Sequence, residues 1–152
     1  MDYMHKKESS AKRDGSSFFI DAVPQCKNKA LVYLGMREHN RKELALKLKQ
    51  KGFSSNIIEE ALDLLEDEGS LSEKRYVQSF VRSSNRRHPE GKTIMIQRLL
   101  AKGANRNIAI QVLDEIYDQD YTNDLKEKAL AKLQDKGHSE EEIRFLLRKL
   151  GF

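Results

Sequence analysis

The sequence predicts an all-α protein: elongated tandem three-helix repeats with right-angled helix packing, about eight helices in all and a shortened third repeat. Three observations predict it. From Lys27 onward the apolar residues recur at helical spacing, with neither strand alternation nor Asn-Gly or Asp-Gly hairpin turns. Lys51-Gly52, Lys102-Gly103 and Lys136-Gly137 each read as a helix end, glycine supplying the left-handed residue after the last turn. Apolar residues also keep register around these glycines. Four positions before stand Leu48, Leu99 and Leu133; eight before, Leu44, Met95 and Ala129. Six positions after come Ile58, Ala109 and Ile143; nine after, Ala61, Val112 and Leu146. Leu62, Leu113 and Leu147 follow at ten, and Leu65, Ile116 and Leu150 at thirteen. A helix pair that repeats in this way buries its apolar faces on its neighbours.

Taken in order, residues 1–26 have scattered serines and balanced charges, Lys6, Lys7, Lys12 and Arg13 against Asp2, Glu8, Asp14 and Asp21. A flexible N-terminal arm is expected there, with Phe18 to Val23 apolar enough to dock on a body or form a short strand. Helices are then expected at about 27–37, 41–51, 55–67, 72–86, 90–102, 106–118, 123–136 and 139–149. Asn40 with Glu43, and Ser139 with Glu142, have the spacing of a capping box. Ser72 and Thr122 are candidate caps, and Pro89 suits a first helical turn. These helices group as repeat 1 over 27–71, repeat 2 over 72–120 and repeat 3 over 121–152. The glycines stand 51 and then 34 residues apart, so the third unit is shorter by about one helix.

Composition narrows the function classes. The 152 residues carry 28 Lys and Arg against 24 Asp and Glu, a net charge of +4 that names no partner by itself. No apolar run approaches the roughly 20 residues of a membrane span. Residues Met1 to Ser10 are followed by no secretory apolar region. Cys26, the single cysteine, makes neither an internal disulfide nor a zinc site, so a soluble, cytoplasmic protein is expected. His5, His39, His88 and His138 show no ligand spacing, and phosphate-loop and nucleophile-elbow motifs are absent. The acidic run Glu59, Glu60, Asp63, Glu66, Asp67 and Glu68 reads as a solvated helix face rather than a metal site. No cofactor, metal or enzymatic activity is expected.

The charge is banded. The arm is neutral, and the following blocks 27–53, 54–74, 75–107, 108–124 and 125–152 carry +6, −6, +7, −5 and +2. In each unit a basic pair sits five and one positions before the glycine: Lys47 and Lys51, Arg98 and Lys102, Lys132 and Lys136. Such pairs share one helix face. They complement the helix dipole and can equally form a periodic positive track. Arg75, Ser79, Arg82 and Arg86 line another stripe of the fourth helix, behind the apolar Tyr76, Val77, Phe80 and Val81. Arg87, His88 and Lys92 extend that positive surface. Arginine's planar fork suits carboxylate or phosphate, so the candidate partner-binding residues are Arg75, Arg82, Arg86, Arg87 and Lys92, backed by Lys47, Lys51, Arg98 and Lys102.

The run from Lys29 to Leu44, with Tyr33, Gly35, Arg37 and Glu43, resembles the opening of the RecX family, as does Leu48 through Gly52 and Phe53. Ile58, Ala61, Leu62, Leu65, Gly69 and Leu71 continue it, and Arg75, Tyr76, Ser79 to Ser83, Arg86, Arg87, Gly91 and Lys92 look like that family's second signature. The resemblance implies a regulatory protein of bacterial homologous recombination, DNA repair and the SOS response. Such proteins consist of tandem three-helix repeats, bind the RecA recombinase, lie in the groove of the RecA–DNA filament and restrain its ATPase and strand exchange. The implied partners are the RecA filament and, more weakly, single- or double-stranded DNA, with no membrane, and the protein acts as a monomer. Two departures stand out: the third repeat lacks its first helix, and Arg87 to Gly91 replaces a glycine-rich turn. The alternative is a helical module that binds DNA directly without a recombinase.

Overall fold

The structure, a computed structural model, describes residues 16–152, with side chains from Ala22 onward. Among the described residues there are eight α-helices and no strand: α1 (Ser16–Met36), α2 (Arg41–Gln50), α3 (Ser55–Asp67), α4 (Glu73–Arg87), α5 (Lys92–Ala101), α6 (Arg106–Ile116), α7 (Gln119–Asp135) and α8 (Glu140–Lys149). The chain divides into two compact units, the first ending at Ser72 and the second running from Glu73 to Phe152. In the first, α1 packs chiefly on α3 and α2 closes the pair; in the second, α4 and α5 pack on α6 in the same way, and α7 pairs with α8.

The helix ends obey local chemistry. Asn40 and Ser139 make complete capping boxes with Glu43 and Glu142. Asn105 caps α6 by accepting from the Ile108 amide. Gly52, Gly103 and Gly137 all have positive φ, between 79° and 96°, where a Cβ would be strained.

Four expectations are corrected. The arm does not extend to residue 26: α1 begins at Ser16, and the stretch from Phe18 to Val23 is helical rather than a strand. Residues 1–15 lie outside the described residues. Cys26 is not in an arm but fully buried in the first core, where burial pushes its thiol up to about 11. The helix continues through the exposed Pro24 because Val23, Cys26 and Ala30 on one stripe are buried against α2 and α3. Pro89 does not open α5; it is buried in the preceding turn, and Gly91 caps a helix starting at Lys92. Asp118, not Thr122, caps α7, accepting from the Tyr121 amide, so the helix starts four residues before the expected 123.

Three apolar clusters result. The first holds Leu44, Leu48, Ile58, Leu62 and Leu65 under Val23, Cys26 and Ala30. The second holds Met95, Leu99, Ala109, Val112 and Leu113 under Tyr76, Val77 and Val81. Leu125 of α7 belongs to this second cluster, whereas Ala129 belongs to a smaller third one with Ile143 and Leu147. The repeated sequence positions become core in the first two clusters, Ile116 only in part, whereas Leu133, Leu146 and Leu150 are partly buried.

The chain closes against the start of α5. The Gly91 amide donates to the Leu150 carbonyl at 2.6 Å, and a Cβ on Gly91 would stand 2.2 Å from the Gly151 carbonyl oxygen. Gly91→Ala is expected to destabilise the protein by about 1–3 kcal/mol, since backbone must move to admit the methyl. Gly35→Ala, with open space around its Cβ in a helix, is expected to be neutral or mildly stabilising. Urea unfolding of both variants checks this; equal midpoints would refute the close-approach account.

Candidate functional site

Helix α4 sorts its residues into two faces. Tyr76, Val77 and Val81 are buried, Phe80 is partly buried, and Arg75, Arg82, Arg86 and Arg87 are exposed. Arg82 and Arg86, one turn apart, border a cleft of about 500 Å3 in the second unit. Its opposite wall is Tyr121, Asp124, Leu125 and Lys128 of α7, and Val81 and Ile116 supply apolar lining. Lys128 is paired with Asp124 at 3.0 Å. Among the described residues, no carboxylate lies within ion-pair distance of Arg82, Arg86 or Arg87. Arg87 marks the end of α4, and its carbonyl accepts from Lys132 Nζ at 2.5 Å.

Beneath the cleft lies a polar network that sequence reasoning missed. Asn85 Nδ2 donates to the hydroxyls of Tyr117 (2.8 Å) and Tyr121 (3.0 Å), while Oδ1 accepts from the Glu90 amide at 3.1 Å. Tyr117 donates onward to the Glu90 carbonyl at 2.9 Å. Burial pushes the Tyr117 hydroxyl up to about 12, so it stays a donor. The network ties the turn after α4 to α7 and holds the cleft walls together. Its signal is present in the sequence: Asn85 falls four residues after Val81 and eight after Val77, a polar residue on the buried stripe.

The other expected residues are placed differently. Lys92 is paired with Asp114, and Arg98 with Glu90 at 2.7 Å while its guanidinium stands 5.4 Å from the Phe80 ring centroid. Lys51 and Lys102 are exposed at the ends of α2 and α5. Lys47 is built into the first unit: its Nζ donates to His39 Nε2 at 2.8 Å and lies 5.2 Å from the Tyr33 ring centroid. The structure therefore gathers Arg82 and Arg86 at one cleft, sets Arg87 beside it, and commits Lys47, Lys92 and Arg98 to contacts within the fold.

The acidic face of α3 is also more than solvated. Glu59, Asp63 and Glu66 converge on the Arg41 guanidinium at 2.5, 2.8 and 3.1 Å. Burial alone would lower the Arg41 pKa, but the hydrogen bonds it donates to these carboxylates overcome that and hold the group charged above its ordinary range. Among the described residues no cluster could hold a metal ion, and no helix is long and apolar enough to cross a membrane.

Comparison with known proteins gives one consistent match. Residues 26–65 match the family model described as RecX, first three-helix domain. The regulatory protein RecX of Chlorobium limicola is 32% identical over 132 residues, 83% of each chain. That of Pseudomonas putida is 40% identical over 98 residues, covering 64% of this chain and 62% of the relative. That of Streptococcus agalactiae is 33% identical over 110 residues, and there the match spans only 43% of the longer relative. The crystal structure of RecX from Lactobacillus salivarius superposes with a TM-score of 0.74 at 26% identity, covering 88% of this chain and 90% of that one.

The Lys47–His39 contact has a pH signature. His39 is buried, with Nδ1 donating to the Arg37 carbonyl at 2.9 Å, so Nε2 is the acceptor for Lys47. Desolvation, together with the Arg37 and Lys47 charges, holds its pKa below the ordinary value of 6.5. The unfolded chain therefore binds this proton first, and stability present above about pH 6.5 is lost as the pH falls below it. Glu43, held below its ordinary value despite partial burial by its bonds to Arg37 and the Asn40 amide, loses its contribution only in more acid solution. Urea midpoints measured from pH 7.5 to 5.5 should fall, and His39→Asn should flatten that fall. An unchanged slope in the variant would disprove the assignment.

Proposed function

The chain belongs to the RecX family of regulatory proteins, and from that premise we propose that it binds the RecA recombinase and the RecA–DNA filament. In this reading it is a non-enzymatic modulator that restrains the recombinase's ATPase and strand exchange during DNA repair and recombination. It acts in the cytoplasm as a monomer and contacts DNA only as part of the filament.

The observation that carries the reading is the arginine group on α4. Arg82, Arg86 and Arg87 are exposed and lack a carboxylate partner among the described residues, while other cations of the same unit, Lys92 and Arg98, are paired. A guanidinium without an internal partner can give its full fork to a carboxylate or phosphate on a binding partner. Asp124 in the same cleft is neutralised by Lys128, so Arg82 and Arg86 leave the cleft net positive toward either a carboxylate or a phosphate. Lys51 offers a further cation on the first unit, and several weak attachments in one chain raise the overall affinity. Arg75 and Lys102 belong to the same proposed surface.

The test is inhibition of RecA ATPase on single-stranded DNA. Charge reversal of Arg82, Arg86 and Arg87 together should raise the half-inhibitory concentration at least about tenfold, or about 1.4 kcal/mol. Reversal of the exposed Lys42 on α2 should leave it unchanged. Unaltered inhibition by the triple variant, with full helicity, would remove these residues from the interface. Tight, strongly salt-dependent binding to naked DNA with no recombinase effect would instead establish direct DNA binding.

A further inference from the structure

The cleft between α4 and α7 holds more hydrogen-bonding capacity than its two arginines. Gln78, Arg82 and Arg86 stand on successive turns of one face of α4, and all three line it. Among the described residues none of the three side chains has a hydrogen-bond or ion-pair partner. Gln78 is partly buried, so a free amide there presents both a donor and an acceptor to whatever enters. The contrast with Asn85 is sharp, because the Asn85 amide is fully engaged by Tyr117, Tyr121 and the Glu90 backbone. Tyr121, on the opposite wall, accepts from Asn85 at 3.0 Å, and its own hydroxyl proton has no acceptor among the described residues.

Charge fixes one end of a ligand. Lys128 and Asp124 pair at 3.0 Å and cancel, so the cleft keeps the two positive charges of Arg82 and Arg86. A phosphate monoester carries about −1.5 to −2 at pH 7 and matches them, whereas a phosphodiester inside a strand carries only one charge. We propose, building on the reading of Arg82 and Arg86 as partner-binding residues, that this cleft binds a nucleotide with a terminal phosphate, the phosphate on the two arginines and the base edge on Gln78.

Each part of that ligand has a counterpart in the cleft. Two guanidinium forks and the Tyr121 proton are donors for phosphate oxygens. The Gln78 amide can donate and accept at once, as recognition of an adenine edge requires. Val81, Ile116 and Leu125 give the base an apolar lining. Gln78 and Arg86 are eight residues apart, about 12 Å along the helix axis, a span that takes a mononucleotide from base edge to phosphate. The volume of about 500 Å3 lies within the range of small-ligand sites. A carboxylate side chain of a partner protein would use one fork and leave Gln78 and the apolar lining idle. A duplex cannot enter, because its base edges are already paired. The same chemistry comes from two sources, a free nucleotide or the 5′-phosphorylated end of a strand.

The experiment is isothermal titration calorimetry of the full chain with AMP. One saturable site is expected, at least about tenfold tighter than for adenosine or inorganic phosphate. Gln78→Leu leaves every charge in place and should weaken AMP about tenfold while sparing inorganic phosphate; Arg82→Gln with Arg86→Gln should weaken both. Two strand probes identify the source. A 5′-phosphorylated hexadeoxyadenylate that matches AMP, with its 5′-hydroxyl form at least about tenfold weaker, adds the strand end as a ligand. Rejection of both forms leaves the free nucleotide. Equal affinities for AMP and inorganic phosphate overturn the proposal, as does unchanged AMP affinity in the Gln78 variant. So does a 5′-hydroxyl strand that binds as tightly as the phosphorylated one. Inhibition of the recombinase ATPase is read separately. No AMP site, with inhibition relieved by reversing Arg82, Arg86 and Arg87, removes the nucleotide and keeps the recombinase surface. An intact AMP site, with inhibition untouched by that reversal, keeps the nucleotide and removes these arginines from the recombinase surface.

Discussion

Both units depend on one backbone event, the way α2, α5 and α7 end. At each end the glycine amide donates three residues back, Gly52 to Lys49, Gly103 to Leu100 and Gly137 to Gln134, at 2.9 to 3.0 Å. The next amide reaches across to the carbonyls of Leu48, Leu99 and Leu133. This paired closure satisfies carbonyls that a helix end would otherwise leave open, and it demands a left-handed residue at the glycine. The chain is thereby turned so that the following helix begins within three residues, capped by Asn105 or Ser139 in two of the three cases. In α2 and α5 the leucine that accepts the closing bond, Leu48 or Leu99, is itself the fully buried core residue four positions before the glycine. Backbone closure and side-chain burial are thus set by the same residue.

That coupling explains what was legible. Glycine, cap and apolar register are all local, so the repeat and the helix pairs could be read without tertiary information. The half of α1 before residue 27 could not, because two local rules oppose it. Pro24 removes a hydrogen bond and obstructs the preceding turn at a cost of about 3 kcal/mol, and the polar residues before it suggest an arm. Burying Val23 and Cys26, with Ala30 a turn later, returns about 1.5–3 kcal/mol for each of the larger side chains. The balance is decided by α2 and α3, far along the chain. The start of α7 was misplaced for a related reason, as Asp118 and Thr122 are both competent caps and Tyr117 is held by Asn85 from another helix.

The charge banding was legible as well, but not its internal consequence. Alternating bands look like a track presented outward. In the structure they partly neutralise each other, Arg41 against Glu59, Asp63 and Glu66, and Lys92 against Asp114. Successive bands lie on helices that pack together, so opposite signs meet. Most of these pairs are exposed and contribute little to stability. Their effect is subtractive, since they remove cations from the surface a partner can use. What survives on α4 is therefore smaller than the sequence suggests, and of it only Arg82 and Arg86 face a cleft.

The two complete units share one further device, absent from the third pair. Each places buried polar groups at the turn between its first and second helices: His39 and Asn40 after α1, Asn85 reaching the Glu90 amide after α4. All are satisfied, for among the described residues no buried side-chain nitrogen or oxygen lacks a partner. A satisfied polar group in a core tolerates only one alignment of its neighbours, whereas apolar contacts alone tolerate sliding. The turn therefore holds the seated helix in register over its pair. The turn between α7 and α8 carries the Ser139–Glu142 capping box but no buried polar side chain, so that pair is aligned by its cap and its apolar contacts alone.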